Sequence, residues 1–98
     1  MVKLSWTSQA IKDIDNIATF IANDSLKYAA IQVSRFFEKA KELEKNPEIG
    51  RIVPEYNNKS VRELLLGNYR IIYKIISEQR IDILTIYHSK RILDKKLI

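Results

Sequence analysis

The chain has 98 residues, 46% hydrophobic and 30% charged, which is the size of one domain with one core between two layers. It contains no cysteine and one histidine, which excludes a disulfide framework, a thiol nucleophile and a thiolate metal site. No apolar run approaches the roughly 20 residues that cross a bilayer, and no secretory leader pattern opens the chain. We therefore expect a cytoplasmic protein without a membrane segment.

The net charge of +5 is concentrated in the second half of the chain. Residues 1–46 carry seven Lys or Arg against six Asp or Glu, whereas residues 47–98 carry ten against six. A positive excess favours an acidic partner, such as nucleic acid or an acidic peptide. The second half is therefore where we look for a binding surface.

The first half has the pattern of one strand and two helices. Residues 2–6 alternate apolar and polar side chains, which predicts a short strand. Apolar residues then recur at three- and four-residue steps as far as Asn23, and again until Asn46 and Pro47, which is typical of two amphipathic helices. Few residues separate the helices, so we expect an antiparallel hairpin. The candidate capping residues are Thr7 or Ser8 for the first helix and Asp24 or Ser25 for the second.

The second half predicts a long loop followed by three strands. Residues 47–60 are rich in turn formers, and a connection of this length is more often functional than a short one. Strands are predicted near residues 61–66, 69–76 and 81–88, with Gly67-Asn68 as a two-residue hairpin turn. The predicted fold is α+β, a single domain over residues 1–98 in the order β-α-α-β-β-β. In this fold the helical hairpin packs on one face of a mostly antiparallel sheet.

The hairpin turns predict which side chains share a face of the sheet. Pairing Leu66 with Tyr69, and Ile76 with Ile81, separates an apolar side from a polar one. The side predicted to face the helices contains Leu64, Leu66, Tyr69, Ile71, Tyr73, Ile75, Leu84 and Ile86. The reverse side contains Glu63, Arg70, Ile72, Lys74, Thr85 and Tyr87, with Arg70 across from Tyr87. Because an isolated buried charge is costly, we expect the reverse side to be an open, mixed polar surface.

Short motifs follow one another in a characteristic order along the chain. They are Trp6-Thr7, the stretch 47–55, Arg62-Glu63-Leu64, the run 68–73, and a last strand that reaches His88 and Arg91. In this order and spacing they resemble the RelE/ParE superfamily of bacterial toxins, which includes the plasmid stabilisation proteins. The resemblance covers almost the whole chain. It implies the toxin of a type II toxin–antitoxin pair, held inactive by a cognate antitoxin.

The resemblance leaves two cellular targets open. RelE-like members cut messenger RNA on the ribosome, whereas ParE-like members poison DNA gyrase and lack that catalytic set. Cutting requires a base for the ribose 2′-hydroxyl, cations for the charged phosphorane and an acid for the leaving oxygen. The candidates, if the protein is a ribonuclease, are Glu63 or His88 as base, Arg70 and Lys74 for the phosphate, and Tyr87 to stack or position a proton. Arg70 matches the arginine that catalytic members carry in this strand.

The end of the chain favours the ParE-like alternative. The sequence His88-Ser89-Lys90-Arg91 departs from the arrangements that catalytic relatives carry there and is closer to ParE. We therefore favour a gyrase-directed toxin, which is not an enzyme, over a ribosome-dependent endoribonuclease; a member without toxicity is the third alternative. Neither mechanism requires a metal or a cofactor. The residues predicted to contact the target or the antitoxin are Arg51, Arg70, Lys74, Tyr87, Lys90 and Arg91.

Each candidate also has a structural interpretation. Arg70 can pair with Glu63 across the sheet, His88 can pack at a strand end, and Arg51 can stabilise the fold. An antitoxin can bind as a helix along the hairpin or as an added strand at a sheet edge, in a dimer or a toxin–antitoxin heterotetramer. The aromatic residues predicted to lie in or beside the core are Trp6, Tyr69 and Tyr73.

Overall fold

The computed structural model describes residues 1–88, and it confirms the predicted α+β order with one additional short strand. The elements are β1 (Lys3–Trp6), α1 (Ser8–Ala22), α2 (Leu26–Lys41), β2 (Arg51–Ile52), β3 (Val61–Leu66), β4 (Tyr69–Ser77) and β5 (Arg80–His88), with a 3₁₀ turn at Glu42–Glu44. The strands form one sheet in the order β1-β5-β4-β3-β2. β1 runs parallel to β5, and the other neighbouring strands are antiparallel.

Both helices begin at hydroxyl caps. The Thr7 hydroxyl accepts a hydrogen bond from the Ala10 amide at 3.1 Å, and the Ser25 hydroxyl accepts one from the Tyr28 amide at 3.2 Å. Such caps stabilise a helix by about 1 kcal/mol each. Within residues 1–88, neither helix combines the length and the apolar character that crossing a bilayer requires.

The main core lies between the helical hairpin and the sheet. Phe36 of α2 is fully buried, and its ring meets the ring of Tyr69 edge-on at 5.2 Å. Trp6 packs against Phe37 with ring centroids 4.7 Å apart, so Trp6, Tyr69 and the fully buried Tyr73 have the predicted core positions. The other buried residues of this core are Val2, Ala10, Ile14, Ala40, Leu43, Leu64, Ile71, Ile81, Ile83 and Ile86.

The β4–β5 pairing contains two irregularities that compensate for each other. Next to the Gly67-Asn68 turn the register is as predicted, with Arg70 opposite Tyr87. In the middle of the hairpin it shifts by one residue, and Ile75 rather than Ile76 pairs with Ile81. The predicted Ile76–Ile81 pair is therefore wrong. Because an extra residue on β5 is matched by an extra residue on β4, both ends of the hairpin keep the predicted register.

The bulge on β5 changes the side on which two residues lie. Leu84 was expected on the helix side but packs on the reverse side, near Ile72. Thr85 was expected on the reverse side, yet its hydroxyl donates a hydrogen bond to the Asp13 carboxylate of α1. Both expectations are wrong, because strict alternation of side chains fails across a bulge.

Asp13 of the first helix and its cap residue Thr7 bind backbone groups beside the bulge. The Asp13 carboxylate also accepts a hydrogen bond from the Ile86 amide at 3.0 Å, and the Thr7 hydroxyl donates to the Leu84 carbonyl at 2.8 Å. Buried backbone groups are costly when unpaired, so these contacts stabilise the bulge and attach α1 to β5.

Candidate functional site

The reverse side of the sheet is covered by part of the connection between β2 and β3. In this connection Val53 is fully buried against Val61 and Ile72, with Tyr56 packed beside them. The Val53 amide donates to the Val61 carbonyl at 3.1 Å, and the Tyr56 and Asn57 amides donate to the Val53 carbonyl at 3.2 and 3.1 Å. We refer to residues 53–58 as the strap. The expectation of an open polar surface is therefore wrong where the strap crosses the sheet.

Four side chains of alternating charge meet beneath and beside the strap, in the order Arg51, Glu63, Arg70, Glu55. The Glu63 carboxylate accepts hydrogen bonds from Nε of Arg51 and from Nε of Arg70, the second at 2.5 Å. The two terminal nitrogens of Arg70 donate to the two carboxylate oxygens of Glu55, both at 2.9 Å. We refer to these four residues as the charge chain. Bidentate pairs of this kind are the strongest hydrogen-bonded ion pairs in proteins.

Burial of these ions is compensated by their mutual contacts. Glu63 is 1% exposed and Arg70 is 5% exposed. The hydrogen bonds from Arg70 to Glu55, and then those to Glu63, raise the pKa of Arg70 above its ordinary value, although burial alone would lower it. Arg70 is therefore a permanent cation, and its two acidic neighbours offset part of the cost of burying its charge.

A second anchor fixes the segment that leads into β2. The Tyr73 hydroxyl donates to the Pro47 carbonyl at 2.8 Å and accepts from the Gly50 amide at 3.0 Å. A side chain at position 50 would clash, because a Cβ there would lie 2.6 Å from both the Glu63 carbonyl and the Tyr73 hydroxyl. Burial raises the pKa of Tyr73, so the hydroxyl stays protonated and can donate.

The structure brings three of the predicted site residues together and gives each a structural contact. The predicted pair between Arg70 and Glu63 is confirmed, and Arg51 also binds Glu63. Tyr87, the cross-strand partner of Arg70, is half-buried beside the cluster around Val53. Functional roles for all of them stay predictions.

The remaining candidates lie apart from the charge chain or outside the described residues. His88 is exposed on the helix side, where its ring meets that of Tyr69 at 6.1 Å, in a cleft shared with Asp13 of α1. This helix-side position separates His88 from Glu63, which lies on the reverse side of the sheet. Lys74 is half-buried on β4 opposite Asp82. Lys90 and Arg91 lie outside the described residues.

The sequence analysis predicted the loop over residues 47–60, but it missed that part of the loop crosses the sheet and that Glu55 binds Arg70. Glu55 stands in a turn-rich stretch 15 residues before Arg70, and neither spacing nor periodicity connects the two. One signal was present in the chemistry. An arginine has five N–H donors, so a buried Arg70 needs more acceptors than Glu63 alone can offer. Within residues 1–88, no group of three or more His, Cys, Asp or Glu side chains is placed to hold a metal ion.

Comparison with known proteins identifies the family. The family model described as "ParE toxin of type II toxin-antitoxin system, parDE" matches residues 4–93. A search of curated proteins gives no match. The chain is similar to a solved structure titled "Chromosomal ParDE TA system from P. aeruginosa", with a TM-score of 0.75 and 25% sequence identity over 92% of this chain and 98% of that chain. With its helical hairpin on a five-stranded sheet and a family match over nearly its whole length, the chain belongs to the ParE toxin family of type II toxin–antitoxin systems.

Proposed function

We propose that this protein arrests growth by binding and poisoning DNA gyrase in the cytoplasm, and that a cognate antitoxin neutralises it. The observation that carries the proposal is the match to the ParE toxin family over residues 4–93. The similar chain from P. aeruginosa comes from a structure titled as a ParDE toxin–antitoxin system, which supports an antitoxin as partner. The proposed complex is a toxin–antitoxin assembly, for which a heterotetramer and a dimer are the two expected sizes.

The charge chain favours binding over RNA cutting. A general base must reach the proton that it removes, and a phosphate-holding cation must reach the phosphate. Glu63 is 1% exposed and accepts hydrogen bonds from two guanidinium groups, while Arg70 is bound to both Glu63 and Glu55. A RelE-like mechanism through these residues would first have to break those contacts, at the cost of leaving buried ions unpaired.

A growth experiment tests toxicity and neutralisation together. Induction of the protein alone should stop growth, and co-expression of its cognate antitoxin should restore it. Unchanged growth on induction, with soluble protein present, would favour a family member without toxicity.

A pair of assays with the purified protein tests the target. We expect the protein to inhibit DNA supercoiling by gyrase and to leave messenger RNA intact in a translating extract. RNA cleavage without an effect on gyrase would contradict the proposal and support the RelE-like alternative. In that case Arg70→Ala should abolish cutting while the circular dichroism spectrum still shows a folded protein.

A further inference from the structure

Arg70 matches an arginine that acts on RNA in catalytic relatives, yet here it lies beneath the strap. We infer that Arg70 is a positioning residue: it fixes the strap across the reverse side of the sheet, and the outward side of the strap forms part of the surface that meets the target. The inference rests on the proposed function as a growth-arresting toxin. It adds which surface is used and how that surface is held.

Arg70 contacts both the strap and the sheet. Its side chain is 7% exposed. Nε binds Glu63 of β3, and both terminal nitrogens bind Glu55 of the strap at 2.9 Å. The planar guanidinium therefore holds the sheet on one edge and the strap on the other, a geometry that a bidentate pair restricts closely.

The strap depends on this contact because little of it is buried. Its inward anchors are Val53, Glu55 and Tyr56, whereas Pro54, Asn57 and Asn58 are exposed. Asn57 has a φ of 48°, in the left-handed region that asparagine adopts more readily than most residues other than glycine. A segment with few buried side chains opens at low cost, so the ion pair at Glu55 helps to keep it closed.

The charge chain also connects the interior to the outer surface. Arg51 binds the same Glu63 carboxylate as Arg70, but its side chain is 61% exposed beside the strap. Lys59 is exposed directly after the strap. The outward side is therefore polar and bordered by two cations, and its shape follows from the buried pair that Arg70 makes.

The variant Glu55→Gln separates a positioning role from direct contact, because the two roles predict opposite effects. The substitution removes the charge that binds Arg70 but leaves Arg70 in the protein. If Arg70 positions the strap, growth arrest weakens. If Arg70 itself met the target, its release from Glu55 would leave growth arrest unchanged or strengthen it. Asp82→Asn is the matched control, since it makes the same change in the exposed pair of Asp82 with Arg80.

Amide hydrogen exchange measures how readily the strap opens, independently of growth arrest. The amides of Val53, Tyr56 and Asn57 are all hydrogen-bonded. In Glu55→Gln they should exchange about ten-fold faster, because a hydrogen bond between charged groups is lost. In Asp82→Asn they should be unchanged. Growth arrest at equal soluble protein should fall several-fold in the first variant only. Unchanged exchange, or undiminished arrest, would overturn the inference.

A rescue variant tests whether growth arrest is lost because the strap opens or because the protein unfolds. In the triple variant Arg70→Met, Glu63→Gln, Glu55→Met, none of the three substituted positions carries a charge, and apolar contacts replace the ion pair of Arg70 with Glu55. We expect slow strap exchange and growth arrest to return together. Slow exchange without growth arrest would show that a closed strap is not enough for arrest and would overturn the inference. If the triple variant does not fold, the comparison of Glu55→Gln with Asp82→Asn decides.

The gyrase proposal and the inference on the strap can fail independently of each other. A wild-type protein that arrests growth without affecting gyrase would contradict the gyrase proposal alone, because the strap is tested by exchange and by growth.

Discussion

The two sides of the sheet are stabilised in different ways. The helix side is a continuous apolar core in which Phe36 and Ile83 are fully buried. The reverse side has a small apolar cluster around Val53, and beside it the charge chain that includes Arg70. Burial of apolar surface is non-directional, whereas ion pairs require fixed geometry. The helix side therefore determines that the chain folds, and the reverse side determines how one surface segment is held.

The largest expected loss of stability comes from a substitution in the core on the helix side. Phe36→Ala removes a fully buried ring and should lower the free energy of unfolding by about 3–5 kcal/mol, because transfer and cavity costs add. Chemical denaturation measures the change. The neighbouring Phe37→Ala is the control: Phe37 is 40% exposed, so its loss should cost clearly less. Equal costs for the two would contradict the position of the core.

The next largest loss of stability is expected from a substitution in the charge chain on the reverse side. Glu63→Ala removes the carboxylate that binds both Arg51 and Arg70, and it should cost about 2–3 kcal/mol. We expect less than for an isolated buried pair because Glu55 still binds Arg70. Denaturant titration checks the value, and a cost below that of Asp82→Asn would count against a buried charge chain.

Removal of the Tyr73 hydroxyl sharpens the comparison further. Tyr73→Phe should cost about 1–3 kcal/mol, because the Pro47 carbonyl and the Gly50 amide lose their partner. The raised pKa of Tyr73 adds a pH signature. Since ionisation is disfavoured in the folded state, wild-type stability should hold below about pH 10 and fall above it. If the stability of Tyr73→Phe falls as steeply as that of wild type above that pH, the Tyr73 hydroxyl is not the cause of the pH dependence.

The smallest effect is expected for the exposed pair on β5. Arg80→Ala removes a pair with Asp82 at 2.8 Å, but the Arg80 side chain is 55% exposed. Exposed pairs contribute less than about 1 kcal/mol because solvent and salt screen them. Thermal unfolding of the variant at low and high salt should show almost no difference from wild type. A large loss of stability would mean that burial of an ion pair determines its contribution less than proposed.

Local patterns predicted most of the fold and little of the reverse side. Helical spacing, the caps and the Gly67-Asn68 turn specify their own neighbourhoods, and Gly67 has the positive φ of 57° that such a turn needs. The bulge at Leu84 depends on Asp13 and Thr7, which are more than 70 residues away in sequence. Strand alternation therefore placed Leu84 and Thr85 on the wrong sides.

The arrangement of the candidate site could not be predicted, for a related reason. Arg70 and Glu63 were identified because charge in a strand is unusual, and their pairing followed from their neighbouring strands. Their exposure could not be predicted, because it depends on the strap. The strap is held by Val53 and Glu55, whose contacts to the sheet connect distant residues without any periodic signal.

The most direct test of the proposed function is a gyrase cleavage assay. Purified protein is added to gyrase and a supercoiled plasmid, and detergent and protease then reveal any DNA break trapped on the enzyme. We predict linear plasmid that increases with the protein and disappears when the antitoxin is added first. A plasmid that stays supercoiled at every concentration of a protein that arrests growth would contradict a gyrase poison.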